Sequence, residues 1–376
     1  MGILPRSPGG RRAGLDRTLV LSLALAAAGV LLTVLAVPIL VGSRGWAFDF
    51  KPYLGAAQRI SDGASPYLAI NLAGPYTQGD QYYGYAPVFA TLLVPLTNLG
   101  LDGAALVWLA FNLLFTALGC ALLPVRTTVR LATFGVTTLS LAFLSDINLG
   151  SVNALLLCAL VVAWRRPQGL AGGLALALSL SIRPYLATVL AGRALWRAWR
   201  SIAWTVLGGI VLIVLTAVVT GPGAFVDFLR VLGNVRFAGA PHNGALVGVA
   251  DAFGLAGPVL TVVTVVAIVI ALAAIVVAWR IGDPDLTFAV AVGASLLASP
   301  VIWDHYLMLL AIPAAFLAER GRWWALALPL LAWLPFEAYP LVALAGAWAP
   351  LAAAQRAGGS AAGEPGLTSN VARSSA

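Results

Sequence analysis

The chain has 376 residues, of which 61% are hydrophobic and 10% charged. A soluble globular chain carries roughly 45–50% apolar and about 25% charged residues, so this composition excludes a water-soluble globule, a secreted disulfide scaffold, a nucleic-acid-binding domain and a disordered chain. It predicts an all-α polytopic membrane protein. Twenty-two Lys+Arg against fourteen Asp+Glu give +8; in such a protein the excess reads as arginines that hold cytoplasmic loops in place.

Residues 1–17, with Arg11, Arg12 and Arg17, read as a cytoplasmic N-terminus ahead of the apolar run 18–41. That run is too long for a signal-peptide core of about 7–15 residues and suits a spanning helix. The polar stretch 42–84 follows, with Arg44, Asp49, Lys51, Arg59, Asp62 and Asp80, and opens a large first extracytoplasmic loop (42–103). Within it, 51–59 reads as a short amphipathic helix on the membrane surface. The stretch 85–99, short and holding Pro87 and Pro95, reads as a second surface helix that helps to wall a cleft.

Apolar runs follow at 104–123, 131–144, 150–164, 169–182, 185–195, 202–219, 258–278, 286–298, 306–317, 323–336 and 341–353. If each crosses the bilayer, Arg126, Arg130, Arg165, Arg166, Arg193, Arg197, Arg200, Arg280, Arg320, Arg322 and Arg356 share one side, as the positive-inside rule requires. The expected architecture is roughly twelve membrane segments forming a catalytic domain over 18–354, with a disordered cytoplasmic tail over 355–376. The pair 169–182 and 185–195 is short for two full crossings. Cys120 and Cys158 sit in apolar runs and read as small buried hydrophobes.

Both histidines and most of the acids then fall on the extracytoplasmic face, where an active site is expected. Asp49, hemmed by Trp46, Phe48 and Phe50, suits a general base; it suits equally an N-cap for the helix that follows. Arg183 interrupts an apolar helix and needs an anion, either a lipid phosphate or an acid such as Asp146 or Asp304. Asp304-His305, flanked by Trp303 and Tyr306, is a titratable pair in an aromatic setting. Asp146, Asn148 and Asn153 suit sugar hydroxyls, or a simple turn. There is no P-loop, no dinucleotide fingerprint, no HExxH and no CxxC, so no cofactor and no metal are expected, and an activated donor has to come from elsewhere. A lipid-linked donor entering sideways from the bilayer fits.

Six stretches, in order, carry a resemblance: DFKPYLGAAQRISDGASPY (49–67), YAPVFATLLVPL (85–96), LGSVNALLL (149–157), LSIRPYLATVL (180–190), HNGAL (242–246) and SPVIWDHYLMLLAIP (299–313). Together they resemble the polyprenol-phosphate-mannose-dependent mannosyltransferases of glycosyltransferase family 87, membrane enzymes of the GT-C fold. The resemblance implies Asp49 as catalytic base and sets Arg183 and His305 on family positions. Arg183 and His305 are expected at the donor phosphate, and Lys51, Tyr85, Asp146, Asn148, Asn153, His242, Asn243, Trp303 and Asp304 around the substrates. The resemblance also implies a polyprenyl-phosphate sugar donor, a glycolipid or glycan acceptor, contact with membrane lipid, no nucleic acid, and a multi-pass plasma-membrane location. Four positions depart from the family pattern. Arg183 stands where lysine is usual, Ser151 where glutamine is usual, and Gly244-Ala245 where Gln-Ser is usual. An arabinofuranosyl donor uses the same kind of carrier and stays open. A transporter, the rival reading, predicts polar residues on both sides and an internal repeat.

Overall fold

The computed structural model describes residues 17–77 and 83–361, the last six by backbone alone. Most of the expected N-terminal and C-terminal cytoplasmic segments, and Asp80, lie outside these residues. The fold is almost wholly helical. In chain order it runs α1 (Arg17–Val41), α2 (Phe50–Ser61), α3 (Ala69–Ala73), α4 (Pro87–Leu93), α5 (Gly100–Leu122), α6 (Thr127–Thr138), α7 (Leu141–Leu149), α8 (Asn153–Arg165) and α9 (Leu170–Ile182). There follow α10 (Ala187–Leu195), α11 (Trp199–Thr220), α12 (Gly223–Asn234), α13 (Leu246–Ala252), α14 (Pro258–Ile281), α15 (Pro284–Leu297), α16 (Ala311–Glu319) and α17 (Tyr339–Ala361). Two-residue strands β1 (Tyr76–Thr77) and β2 (Val235–Arg236) pair in parallel.

Among the described residues, five helical stretches are long and apolar enough to cross a membrane: 17–41, 87–122, 199–220, 258–281 and 336–355. The chain is therefore an all-α polytopic membrane protein. The apolar run 131–144, expected as one crossing, is instead two helices, α6 and α7, bent by 62°. Ser140 ends the first and caps the second, its hydroxyl accepting the Phe143 amide, which is the usual work of serine at a helix start. Counting that pair as one span gives six. Four further apolar helical segments (153–165, 170–182, 284–297 and 323–333) have 10–17 residues, short for a hydrocarbon core of about 30 Å. The expected twelve segments are thus not twelve full-length helices. Burial accounts for α15. Every residue of α15 from Leu286 to Leu297 is buried, so its partners, not lipid, satisfy it.

Small residues set how closely these helices pack, as they do where lipid removes the hydrophobic drive between helices. Gly293 of α15 lies against the backbone of Gly346 in α17, with no room for a side chain between them. By contrast α1, α11 and α14 leave most of their apolar surface outward.

The shorter helices give the bundle two chemically distinct ends. α8 runs from Asn153 to Arg165, α9 runs from Leu170 up to Arg183, and α10 returns to Arg193. At one end Arg126 pairs with Glu319, Arg320 with Asp283, and Arg165 donates to the Leu122 carbonyl. At the other end Asp49, Arg183, Asp304 and His305 collect around a cavity. Residues 42–77 and 83–86 fold over that second end. α2 buries Phe50, Tyr53, Leu54 and Ile60 and lies against α4, which buries Val88, Phe89 and Leu93 in turn.

Candidate functional site

A cavity of about 770 Å3 opens between α2, the tip of the α9–α10 hairpin, the 237–242 loop and the 300–306 segment. Four local devices place its polar groups. First, the loop before α2 is tied to the end of α7: the Ala47 amide donates to the Asn148 carbonyl at 2.8 Å and the Asp49 amide to the Leu149 carbonyl at 2.9 Å. Gly150 closes α7 at φ +67°, and a Cβ there would stand 2.8 Å from the Cβ of Phe50, so only glycine lets α2 come this close. Ala47 also holds a positive φ, +55°, a costly state for a residue with a Cβ. Asp49 thus sits at the N-cap of α2, yet its carboxylate makes no capping bond; it is turned towards Ser151 and His305 instead.

Second, Pro184 disfavours helical backbone at the residue before it. Arg183 accordingly adopts φ −132°, ψ 90° and ends α9, which aims its side chain into the cavity. Neither Asp146 nor Asp304 pairs with it. Its guanidinium lies 4.0 Å from the centre of the Tyr306 ring and 5.0 Å from that of Tyr85, and it donates to the Tyr306 hydroxyl. These are cation–π contacts, which hold the charge without neutralising it.

Third, Asp304, His305 and Asp49 form a line. Nδ1 of His305 is 3.2 Å from Asp304 Oδ1, and Nε2 is 3.6 Å from Asp49 Oδ2. Ser145 donates to Asp304 at 3.0 Å. Burial pushes the Asp49 pKa up, against the charges of His305 and Arg183. Burial alone would lower the pKa of His305, but the Asp304 hydrogen bond and the charges of Asp49, Asp304 and Asp146 raise it. Asp304 itself, despite burial, is lowered by its bond to His305.

Fourth, Asn243 clamps two loops together. Its amide donates to the carbonyls of Phe237 and Pro300, and its carbonyl accepts from the amides of Ala245 and Ile302, all at 2.9–3.0 Å. This holds His242 (φ +52°) and Trp303 at the cavity wall.

Of the residues singled out from the sequence, Asp49, Tyr85, Arg183, His242, Trp303, Asp304 and His305 line the cavity. Lys51, Asp146, Asn148, Asn153 and Asn243 do not, and four of these five have structural work. Asp146, fully buried, accepts from the Asn153 side chain at 2.9 Å and from the amides of Asn153 and Ala154, and so caps α8. Asn148 accepts from Ser43 at 2.9 Å, and Asn243 is the clamp. Lys51 is exposed on α2. The cavity adds Tyr53, Ser145, Tyr185 and Tyr306. Tyr185 and Tyr306 flank the singled-out Arg183 and His305 in the sequence, but tyrosine in a membrane chain reads first as interfacial belt.

Three buried polar atoms on residues of this wall have no hydrogen-bond partner: Arg183 Nε, Tyr185 Oη and His305 Nε2. Unpaired buried donors are costly and are suited to an anionic or hydroxyl-rich ligand. Among the described residues no group of three acids, histidines or cysteines could hold a metal ion.

No curated protein and no solved structure matches the chain. The sequence model of glycosyltransferase family 87 matches residues 83–300, more than half its length. Arg183 and His242 fall inside that match, while Asp49, Asp304 and His305 meet them only in the folded cavity. A helical membrane bundle with an aromatic, charge-lined cavity at one end is the setting a membrane glycosyltransferase needs, and by this match the chain belongs to glycosyltransferase family 87.

Proposed function

We propose that the protein transfers mannose from a polyprenyl-phosphate carrier to a lipid or glycan acceptor on the extracytoplasmic face of the plasma membrane, with inversion at the anomeric carbon. The supporting observation is the meeting of Asp49, His305 and Arg183 at one cavity. Asp49 takes the proton of an acceptor hydroxyl as that oxygen bonds to the anomeric carbon. The bond from that carbon to the phosphate oxygen breaks in the same step, and the leaving polyprenyl phosphate keeps the electron pair. Phosphate is a good leaving group, so no strong general acid is needed. Arg183 carries a permanent charge against the phosphate, and the His305 imidazolium adds a second. Donors placed where charge develops each contribute about 10²–10³ in rate.

The bilayer supplies the route for the carrier's tail, and the apolar wall of Phe48, Ile182, Leu232 and Phe336 suits its first isoprene units. The test is incorporation of label from polyprenyl-phosphate [14C]mannose into lipid acceptors by the purified protein in liposomes. Absence of both transfer and donor hydrolysis would sink the reading. The same assay with an arabinofuranosyl donor reports which sugar is taken.

A further inference from the structure

A second cavity, of about 270 Å3, lies at the arginine end of the bundle, between the 167–168 loop, the last turn of α10 and the first turn of α15. The first cavity lies at the opposite ends of α9, α10 and α15, so the two are separate. We propose that this second cavity binds the phosphate of an anionic phospholipid head group.

Arg193 carries the inference. It lines the cavity, its Nε is buried without a hydrogen-bond partner, and Nη2 donates only to the Ala163 carbonyl at 3.1 Å. Its guanidinium lies 5.3 Å from the centre of the Phe288 ring. Among the described residues no carboxylate reaches it at ion-pair distance. Asp285 is close enough to act on it but holds the Trp164 indole at 2.8 Å. An arginine that merely snorkels keeps its head group in water; a buried Nε does not fit that description. A phosphate does fit, because guanidinium donates to it in pairs.

A second observation is independent of the first. Among the described residues, three non-glycine residues hold a positive φ: Ala47, Arg197 and His242. His242 lines the first cavity, and Ala47 directly precedes Phe48 and Asp49, which line it. The third, at +51°, lies between Trp196 and Ala198, which line the second. Strain of this kind persists where the surroundings over-determine it, and it concentrates at binding sites.

The setting favours lipid over a free anion. Arg166, Arg197 and Arg200 are exposed around the cavity, and Trp199 beside it is 63% exposed. An outward tryptophan among arginines marks the depth of the lipid head groups, and basic pockets between helices at that level hold anionic ones.

The test uses the purified full-length protein in dodecyl maltoside, titrated separately with phosphatidylglycerol, phosphatidylcholine and inorganic phosphate. Thermal unfolding and native mass spectrometry are the readouts. Phosphatidylglycerol is expected to be retained and to raise the unfolding midpoint, and phosphatidylcholine is not. Arg193→Gln is expected to weaken the apparent affinity about tenfold or more. Gln168→Glu, at an exposed position on the cavity wall, should weaken it in the same direction and keeps the test open if Arg193→Gln fails to fold. If inorganic phosphate alone reproduces the Arg193-dependent rise, the phosphate chemistry stands and the lipid is overturned as its source. An equal response to both lipids, or an unchanged response in both variants, overturns the proposal.

Discussion

Asp49→Asn separates the base from the scaffold. Asparagine has nearly the same size, and the backbone bond from residue 49 to the Leu149 carbonyl does not involve the side chain, so the α2 entry keeps its geometry. The charge is lost. Asp49 and His305 stand 3.6 Å apart, a gross attraction of about 4–5 kcal/mol at an effective dielectric near 20. Against this, an ionised Asp49 is opposed by its own burial, and His305 retains Asp304. The two effects oppose each other, so thermal stability should change little. Transfer should not behave the same way. Loss of a positioned general base lowers the rate by about 10²–10⁴, or about 3–5 kcal/mol in the barrier. Initial rates with saturating labelled donor, beside an unfolding curve on the same preparation, give both quantities. If Asp49→Asn keeps more than a tenth of the wild-type rate with its fold intact, the carboxylate is not the base. If rate and stability fall together, Asp49 is scaffold.

The raised pKa of Asp49 places loss of the ionised base at a higher pH than for an ordinary carboxylate, and the raised pKa of His305 keeps its charge to a higher pH than an ordinary histidine. The pH profile of kcat/KM should therefore be a bell whose two limbs are both displaced upward. Asp304→Asn removes the main favourable partner of the imidazolium and should draw the alkaline limb down; an unmoved limb would exclude His305 as its source. Tyr306→Phe keeps the ring beside Arg183 but removes the hydroxyl that the guanidinium donates to. The donor KM should rise about tenfold with kcat less affected, as steady-state kinetics would show. Asn243→Ala leaves two amides and two carbonyls to find new partners and should cost several kcal/mol at about 1 kcal/mol or more each, read as a large fall in the unfolding midpoint. Gly150→Ala meets both a positive φ and the Phe50 side chain. It should cut kcat by displacing Asp49, and Gly150→Ala activity equal to wild type would show that the α2–α7 approach is not critical.

Much of the candidate site was legible in the sequence. Asp49, Arg183 and the Asp304-His305 pair stood out because ionisable groups are rare in so apolar a chain and are expensive at membrane depth. What each would do there was less legible. Asp146 carries the same carboxylate as Asp49 and Asn153 an amide that suits a sugar hydroxyl, but they lie on either side of a turn between two helices and satisfy each other. Asn243 offers an amide that suits a sugar hydroxyl, yet four backbone groups from two loops use it first. The break at Ser140 was hidden for a related reason: the apolar run continues through it, and only the serine cap and the 62° bend divide it.

By itself, the sequence determined the membrane as solvent and the helical character, because these follow from composition and from the local run of side chains. The tertiary structure decided which polar groups are spent on scaffold and which face the cavity. That is a matter of long-range approach: Asp49 and His305 are 256 positions apart in the chain and 3.6 Å apart in space. The same approach determines the depth of Arg193. Its charge could be read from the sequence, but the burial that leaves Nε without a partner exists only once α8, α10 and α15 have packed together.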